Sequence, residues 1–277
     1  MKKQNQAQHD LRKLPRGERL DAITKAVISA GTVRIDDLAE MLAVSAMTIH
    51  RDLDALDARG VIRKGRGQVT AIATSLVEAS PDYRARQNVS AKRAIALAAS
   101  NYIEPGQAII LDDSTTSLHL VSVLLRKQPL TIITNFRRLA EELVGQPGIT
   151  LLTLGGQYYQ WCDAYMGSMT LAALDQLRAD VLLMSTPAII DDVCFHQHYE
   201  AAMIKKAMFA AAAKRVLLAD HSKFDQRALH AHMPLGDFDV VIVDKGTSPA
   251  HVKRLRDKGI DVVIAEEPAR ADLKNLS

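Results

Sequence analysis

Four short polar segments directly follow apolar runs in the C-terminal two-thirds of the chain, and their residue types suit the binding of an anion. They are Asp112–Thr116, Thr134-Asn135, Gly155-Gly156 and Asp220–Phe224. Hydroxyl side chains and backbone N–H groups before a helix form phosphate sites, but the same residues also form ordinary helix N-caps. Ligands of open α/β sheets bind beyond the carboxyl ends of strands, and all four segments lie at such ends. Their common position favours an anion site over ordinary helix N-caps.

A second set of chemically useful side chains lies near the N-terminus. A predicted helix from Ala46 to Arg59 buries a stripe at Ile49, Leu53 and Leu56, which leaves polar and basic residues on its other faces. A slim exposed helix fits the major groove of DNA, and cations on a following hairpin suit the adjacent phosphates. The candidate DNA contacts are Arg16, Ser45, Met47, Thr48, His50, Arg51, Arg63, Lys64 and Arg66. A small helical domain of this kind could bind a protein instead, but the joint concentration of basic residues on helix and hairpin favours DNA.

Three helices and a hairpin must position these N-terminal residues. The first predicted helix starts at Arg16 and ends at Gly31, the second runs from Ile35 to Leu42, and Ser45 is suited to cap the third. Two short strands around Gly65-Arg66-Gly67 complete the pattern, which is that of a winged helix-turn-helix.

After a helix predicted at Ser90–Tyr102, the chain alternates between apolar runs and helical stretches. The predicted strands are Ala108–Leu111, Leu130–Thr134, Ile149–Leu154, Val181–Met184, Val216–Ala219, Val240–Val243 and Val262–Ala265. The predicted helices between them are Ser117–Leu125, Phe136–Val144, Met169–Leu177, Tyr199–Ala213 and Pro249–Lys258. Short apolar strands without polar alternation are buried on both faces, so this order predicts a parallel α/β sheet.

The length of 277 residues favours two domains. We expect a disordered tail at residues 1–15, a winged helix-turn-helix domain at 16–73, a linker at 74–89 and an α/β domain at 90–277. Residues 1–75 hold 13 Lys/Arg and 9 Asp/Glu, whereas the remainder holds 22 and 23. The positive excess therefore lies entirely in the first quarter, as expected for a module that faces a polyanion.

The composition excludes several other classes of protein. Hydrophobic residues make up 48% and charged residues 24% of the chain, which is typical of a globular protein. No apolar run is long enough to span a bilayer, and the polar N-terminus lacks a secretory signal. Cys162 and Cys194 cannot form a disulfide framework and show no metal-ligand spacing. We expect a cytoplasmic protein without membrane contact, metal or cofactor.

The N-terminal residues resemble the DeoR family of bacterial transcriptional regulators. The matching motifs are Asp37-Leu38-Ala39, Val44-Ser45, Thr48–Leu53, Leu56 and Gly60–Arg63. The family pattern has arginine where this chain has His50. We therefore expect the operator sequence of this chain to differ from the operator sequences of its relatives. The C-terminal matches include the four polar segments, Lys92–Ala96, Gly167, Lys205 and Asp237–Asp239. The resemblance therefore covers nearly the whole chain.

The resemblance implies a sensor domain similar to ribose-5-phosphate isomerase, which binds a phosphorylated sugar or related metabolite and thereby loosens the operator. It implies that Ser114–Thr116 holds the phosphate, with Lys223 as a cationic partner. Ser114 stands where the family more often has glycine, which reduces backbone freedom. The candidate effector contacts are Asp112, Asp113, Ser114, Thr115, Thr116, Thr134, Asn135, Gly155, Gly156 and Lys223.

Several further residues have two interpretations. Lys205 is either part of the family pattern or a solvated surface lysine. Ser185–Pro187 and His196–Tyr199 are candidates for effector specificity, although a histidine pair at this spacing is usually a surface loop rather than a metal site. The aromatic residues Tyr158, Tyr159 and Trp161 form either a lid over a sugar or ordinary packing.

The sequence thus predicts a DNA-binding regulator, and repression of a carbohydrate operon is the expectation from the family. Two-fold symmetric sites are read by dimers, so we expect a dimer or tetramer bound to double-stranded operator DNA. One alternative is an isomerase-like enzyme, for which the aspartates offer carboxylates but no distinct catalytic arrangement. Another is a metabolite-binding module that acts through a protein partner.

Overall fold

The computed structural model describes residues 14–30, 32–71, 78 and 81–266. The chain divides into two compact units, Met1–Tyr83 and Arg84–Ser277. The predicted disordered tail lies outside the described residues except for Leu14 and Pro15, and so does most of the predicted linker up to residue 80.

The described part of the first unit contains three helices and a small antiparallel sheet. Their bounds are α1 (Arg16–Ala30), β1 (Thr32–Arg34), α2 (Ile35–Met41), α3 (Ala46–Ala58), β2 (Ile62–Lys64) and β3 (Gln68–Ala71). The strand order is β1-β3-β2, so β3 pairs with both of its neighbours. The predicted winged helix-turn-helix is confirmed, and β1 is an addition that the sequence analysis missed because it has only three residues between two helices.

Buried residues from all of these elements form the core of the first unit. Its fully buried members include Ile23 of α1, Leu38 of α2, Val69 of β3, and the stripe of Ile49 and Leu53 on α3. Ser45 caps α3 as predicted, since its hydroxyl accepts a hydrogen bond from the Thr48 amide at 3.2 Å. The core therefore fixes which face of α3 is turned outward.

The second unit is built around a parallel sheet. Its strands are β4 (Ala108–Leu111), β5 (Leu130–Thr134), β6 (Ile149–Thr153), β9 (Ala179–Met184), β12 (Ala212–Ala219), β14 (Val240–Asp244) and β15 (Val262–Ala265). The spatial order is β15-β14-β12-β9-β4-β5-β6, with every pair parallel. All seven predicted strands are present, and the predicted parallel α/β fold is confirmed.

Helices cover this sheet, and two separate apolar clusters bury its two faces. The helices of this part of the chain are α4 (Pro81–Arg86), α5 (Val89–Ala99), α6 (Val121–Leu124), α7 (Arg137–Leu143), α8 (Ser168–Asp175), α9 (Tyr199–Ala210) and α10 (Pro249–Asp257). Short 3-10 helices occur at Ser100–Tyr102, Ser117–Leu120, His221–Asp225 and Leu235–Asp237. Within the described ranges, no helix is both long and apolar enough to cross a membrane.

Two details of the predicted order are wrong, and one helix is an addition. The helix predicted at Ser117–Leu125 is a 3-10 turn followed by the four-residue α6. The helix predicted to reach Ala213 ends at Ala210, because β12 starts at Ala212 and pairs with β9 there. The helix α4 falls within the segment that the sequence predicted to be a linker.

Two smaller β structures follow the carboxyl ends of strands of the large sheet. A hairpin joins β7 (Gln157–Tyr159) to β8 (Ala164–Met166), and an antiparallel sheet contains β10 (Ala188–Ile190), β11 (Val193–His196) and β13 (His230–Pro234). The sequence analysis did not predict them, because their strands have only three to five residues.

Candidate functional site

The outward face of α3 carries the residues predicted to contact DNA. Met47, His50 and Arg51 are exposed, and 67% of Met47 is accessible to solvent. Ser45 and Thr48 lie at the start of the helix with their hydroxyl oxygens 2.9 Å apart, so each already has one partner. This end of the helix presents an apolar side chain, an imidazole and a guanidinium together.

The wing formed by β2 and β3 adds cations to the unit. Arg63 and Arg66 are exposed, whereas Lys64 is half-buried and its Nζ lies 2.5 Å from Asp54 Oδ1 on α3. The charge of Lys64 is therefore partly neutralised within the protein, and the two arginines carry the free positive charge of the wing.

A buried carboxylate ties α1 to α3. Asp52 is 2% exposed, and its Oδ2 accepts a hydrogen bond of 2.5 Å from Arg19 Nε. Arg16, predicted to contact DNA, is largely exposed and lies 3.6 Å from the same carboxylate. Sequence reasoning missed Arg19 and Asp52, although an aspartate beside Leu53 in the core stripe was the available signal. The pair orients the helix that carries the exposed face.

In the second unit, Asp112 lies at the carboxyl end of β4 and is fully buried. Its Oδ1 accepts hydrogen bonds from the Ser114 amide and the Ser117 hydroxyl at 3.3 and 2.8 Å. Its Oδ2 accepts from the Ser185 amide at 2.8 Å and from Lys205 Nζ at 2.5 Å. Both carboxylate oxygens of this predicted effector contact are thus occupied by the protein, and they hold the Ser114–Ser117 turn in place.

Lys205 is not a solvated surface lysine, because it is 2% exposed at the base of this turn. Besides Asp112, its Nζ bonds the Ser185 carbonyl at 3.1 Å and lies 3.4 Å from Asp113 Oδ1. Burial opposes ionisation of Asp112, but the Lys205 charge and the hydrogen bonds from Ser114 and Ser185 together hold its pKa below the ordinary value. The surface interpretation was wrong because α9 turns this residue toward the sheet.

Lys92 is a second buried lysine, and the sequence analysis gave it no role. Its Nζ donates to Thr115 Oγ1 at 3.0 Å and to the Arg84 carbonyl. Burial and the neighbouring Lys223 charge lower its pKa to about 7, against the opposing effect of Asp220. A lysine on the apolar face of α5, between Ala91 and Ile95, was the signal that could have identified it.

The loop after β12 brings Lys223 to the same place. Lys223 Nζ lies 3.4 Å from Asp220 Oδ2, and Asp220 Oδ1 accepts from the Ser222 hydroxyl at 2.5 Å and from Asn88 Nδ2 at 2.8 Å. Burial disfavours the charged carboxylate, but the cations Lys223 and Lys92 and these hydrogen bonds lower the pKa of Asp220 to about 2. Lys92 thus contacts the Thr115 hydroxyl and also lies within the electrostatic influence of Lys223 and Asp220.

The residues predicted after β5 and β6 have structural partners. The Thr134 hydroxyl accepts from the Phe136 amide, and Asn135 Nδ2 donates to the Tyr165 carbonyl of β8 at 2.9 Å. Asn135 Oδ1 is buried and has no hydrogen-bond partner among the described residues. At Gly156, a Cβ atom would lie 2.2 Å from Thr170 Oγ1, so packing against α8 requires this glycine. Gly155 accepts from that same hydroxyl through its carbonyl.

Three other predicted contacts complete the Asp112–Thr116 segment. Asp113 and Thr116 are buried, and the Ser114 hydroxyl lies 2.9 Å from that of Ser117. The structure therefore pairs Asp113 with Lys205, and it places Thr115 against Lys92, whose charge is in turn influenced by the half-buried Lys223. Asp112, Ser114 and Thr134 have their side chains engaged in holding the loops.

The segments expected to determine specificity are buried at Ser185, Thr186, His196 and Gln197, whereas Tyr199 is exposed. His196 belongs to β11 and is 1% exposed, and its Nδ1 accepts from the His198 amide at 3.1 Å. Burial, followed by the charge of Lys205, lowers its pKa well below the ordinary value. Trp161 of the β7–β8 turn stacks on His198 with ring centroids 3.8 Å apart. Both cysteines are buried, as expected for small apolar residues.

Two family models match this chain. One is described as a DeoR-like helix-turn-helix domain and matches residues 19–75. The other is described as a DeoR C terminal sensor domain and matches residues 87–245, which is more than half of the sequence. The chain belongs to the DeoR family.

Relatives within this family extend over almost the entire chain. The HTH-type transcriptional repressor CsqR of Escherichia coli is 29% identical over 260 residues, which cover 94% of this chain and 99% of the relative. The lactose phosphotransferase system repressor of Staphylococcus aureus is 28% identical and covers 82% of this chain and 91% of its own length. These relatives are named as transcriptional repressors, and neither is named as an enzyme.

Among solved structures, ribose 5-phosphate isomerase A of Methanocaldococcus jannaschii is 16% identical over 50% of this chain and 55% of its own, with a TM-score of 0.37. This DeoR-family chain and the isomerase are therefore only distantly similar.

Proposed function

We propose that this DeoR-family protein represses a carbohydrate-metabolism operon by binding operator DNA, and that a phosphorylated sugar or related metabolite releases it. The observation that carries the proposal is the pair formed by buried Lys92, which contacts Thr115, and the neighbouring half-buried Lys223, in a chain whose other unit exposes a cationic helix face. The proposed location is the cytoplasm, and the proposed working form is a homodimer or homotetramer.

The DNA half of the proposal rests on exposure and charge. His50 and Arg51 on α3 are exposed, as are Arg63 and Arg66 on the wing. A guanidinium near the start of a recognition helix reads guanine edges or clamps a phosphate, while wing cations bind the neighbouring backbone. Met47 adds an exposed apolar side chain suited to contact with a thymine methyl group.

The effector half rests on an imbalance of charge around Lys92. A buried ammonium is costly unless an opposite charge or good hydrogen bonds compensate it. Lys92 has a hydroxyl and a carbonyl as its nearest partners, and the second cation Lys223 disfavours its protonation. A phosphate placed beside Thr115 would compensate the charges of both lysines, and its oxygens would accept hydrogen bonds from their ammonium groups.

The sugar part of the proposal comes from the relatives. The lactose phosphotransferase system repressor carries a sugar system in its name, and we extend this class of regulated operon to the present chain. We do not propose isomerase activity, because Asp112, a candidate carboxylate base, already accepts four hydrogen bonds within the protein.

A DNA fragment selected from a random pool by the full-length protein supplies the operator for the test. Fluorescence anisotropy then measures its affinity with and without a panel of pentose and hexose phosphates, with inorganic phosphate and the parent sugars as controls. We expect at least one sugar phosphate to raise the operator Kd by about tenfold or more, as is typical of allosteric coupling.

Two results would overturn the proposal. Failure to select any DNA sequence would remove the operator-binding function. Turnover of a sugar phosphate to its isomer, without any effect of that compound on DNA affinity, would favour the enzyme instead.

A further inference from the structure

Asn88 has an unusual conformation at the point where the chain enters the second unit. Its φ of 51° and ψ of 39° place it in the left-handed region, directly before α5. Asparagine tolerates this region better than most residues, but a non-glycine residue there is uncommon. The contacts around it must therefore stabilise the conformation.

The side chain of Asn88 does not cap α5, although asparagine at this position commonly does. Its Nδ2 instead donates to Asp220 Oδ1 at 2.8 Å and to Ser222 Oγ at 3.2 Å. These partners lie 132 and 134 residues further along the chain, in the loop that also carries Lys223. The backbone conformation of Asn88 is thus coupled to the loop that contributes one lysine of the proposed effector site.

A second contact joins the same stretch of chain to the other loop of the site. Lys92 Nζ donates to the Arg84 carbonyl of α4 and also to Thr115 Oγ1 of the Ser114–Thr116 loop. Residues 84–92 are therefore tied at two positions, through Arg84 and Asn88, to the side chains expected to receive a phosphate.

We propose that the segment Arg84–Lys92 transmits effector binding out of the sensor unit, with Asn88 as the coupling residue. This inference rests on the proposed function, because it assumes that an anion binds between Lys92 and Lys223. In sequence, the segment immediately follows the unit that carries the recognition helix.

The mechanism follows from competition for the two ammonium groups. An anion beside Thr115 attracts Lys92 Nζ away from the Arg84 carbonyl and Lys223 Nζ away from Asp220. Asp220 then loses the cation that neutralises it, and its hydrogen bonds to Asn88 and Ser222 rearrange. Once these bonds change, Asn88 is free to leave the left-handed region, and the direction of the chain before α5 changes with it.

The decisive variant is Asn88→Gly in the full-length protein. Glycine adopts the left-handed conformation without penalty, so the backbone of the free state is preserved while the side-chain link is removed. We expect operator affinity without ligand, and affinity for inorganic phosphate, to stay within about threefold of wild type. The factor by which the releasing sugar phosphate raises the operator Kd is expected to fall about tenfold.

Asn101→Gly is the matched control, since Asn101 is exposed in the 3-10 turn after α5. It should retain the wild-type release factor. A wild-type release factor in Asn88→Gly would overturn the coupling role of Asn88. If wild-type protein itself shows no release by any sugar phosphate, the proposed function fails, and this inference fails with it.

Hydrogen–deuterium exchange on the wild-type protein gives a test that does not depend on a variant. Inorganic phosphate at saturating concentration is expected to protect amides of residues 112–117 and to change exchange at residues 84–92. Protection at 112–117 with unchanged exchange at 84–92 would show that the anion binds but that this segment does not respond. Such a result would refute the proposal while leaving the anion site intact.

Discussion

The two units of this chain use their charged residues in opposite ways. In the first unit, the basic side chains His50, Arg51, Arg63 and Arg66 face solvent, and the continuous stretch of residues 50–66 supplies them. In the second unit, Lys92, Lys205, Asp112 and Asp220 are buried, and they come from helices and strand ends spread over more than a hundred residues.

Under the proposed function, the difference reflects two ways of binding an anion. DNA is a large polyanion that an exposed helix and wing can approach without a cavity, so free surface cations suffice. A small phosphorylated metabolite must be taken out of water, which requires polar groups that are already buried and positioned. Substitutions should therefore affect the two units differently, with stability and ligand affinity changing in the second and DNA affinity in the first.

The largest expected effect is that of Lys205→Met on the stability of the second unit. The substitution leaves the buried carboxylates of Asp112 and Asp113 without their cation, which typically costs about 3–5 kcal/mol. Urea unfolding of the full-length protein, followed by the fluorescence of Trp161, measures the loss in the unit that contains this only tryptophan of the chain. Lys206→Met is the control, because Lys206 is the exposed neighbour on α9. Equal unfolding midpoints for the two variants would contradict the expectation that buried charges of the second unit contribute to its stability.

The next effect is that of Lys92→Met on effector affinity. Loss of a charge-assisted hydrogen bond to a phosphate is expected to weaken sugar-phosphate binding about 10- to 100-fold. Operator affinity without ligand is measured as well, because the variant also removes the hydrogen bond to the Arg84 carbonyl. Isothermal titration calorimetry and anisotropy measure the two affinities, and Arg93→Met, at the exposed neighbouring position, is the control. Sugar-phosphate affinity equal to that of wild type would exclude Lys92 from the site.

In the first unit, Arg51→Ala should raise the operator Kd about tenfold and leave sugar-phosphate affinity unchanged. The reason is that an exposed arginine on the recognition helix contributes through DNA alone. Gel-shift titration measures the change, with Lys25→Ala on α1 as an exposed cationic control. Unchanged operator affinity would remove Arg51 from the interface.

The smallest effect is the pH dependence of anion binding. With a pKa of about 7, Lys92 is about half neutral at pH 7, in the field of Lys223, Asp220 and Arg84. An anion favours the protonated form, so binding takes up a proton and affinity falls as the pH rises through 7. Between pH 7 and pH 8 the protonated fraction, and with it the affinity, should fall about fivefold. Phosphate esters are already mainly dianionic in this range, so the ligand adds little to the trend.

Calorimetry in two buffers of different ionisation enthalpy measures this proton uptake directly. Lys92→Met should abolish the dependence. A pH-independent affinity in the wild-type protein would contradict the predicted link between protonation of Lys92 and anion binding.

The sequence predicted the fold because the fold depends on local patterns. Seven apolar runs without polar alternation identified the seven parallel strands, and the spacing of Ile49, Leu53 and Leu56 identified the core face of α3. Ser45 was recognisable as a cap from its position alone. In the first unit the candidate interface is simply the face opposite this stripe, so local periodicity also locates the exposed side chains.

The candidate site of the second unit was predictable only as a set of loops at strand ends. Which side chains face a ligand depends on partners far away in sequence: Asp112 is bonded to residues 73 and 93 positions further along the chain. The burial of Lys92 and Lys205 was decided in the same way, because a lysine enters a protein interior only where distant groups compensate its charge. The sequence by itself thus determined the seven strands of the large sheet, most of the longer helices and the core face of α3. Only the tertiary structure decided which polar residues hold the loops and which form the proposed anion site.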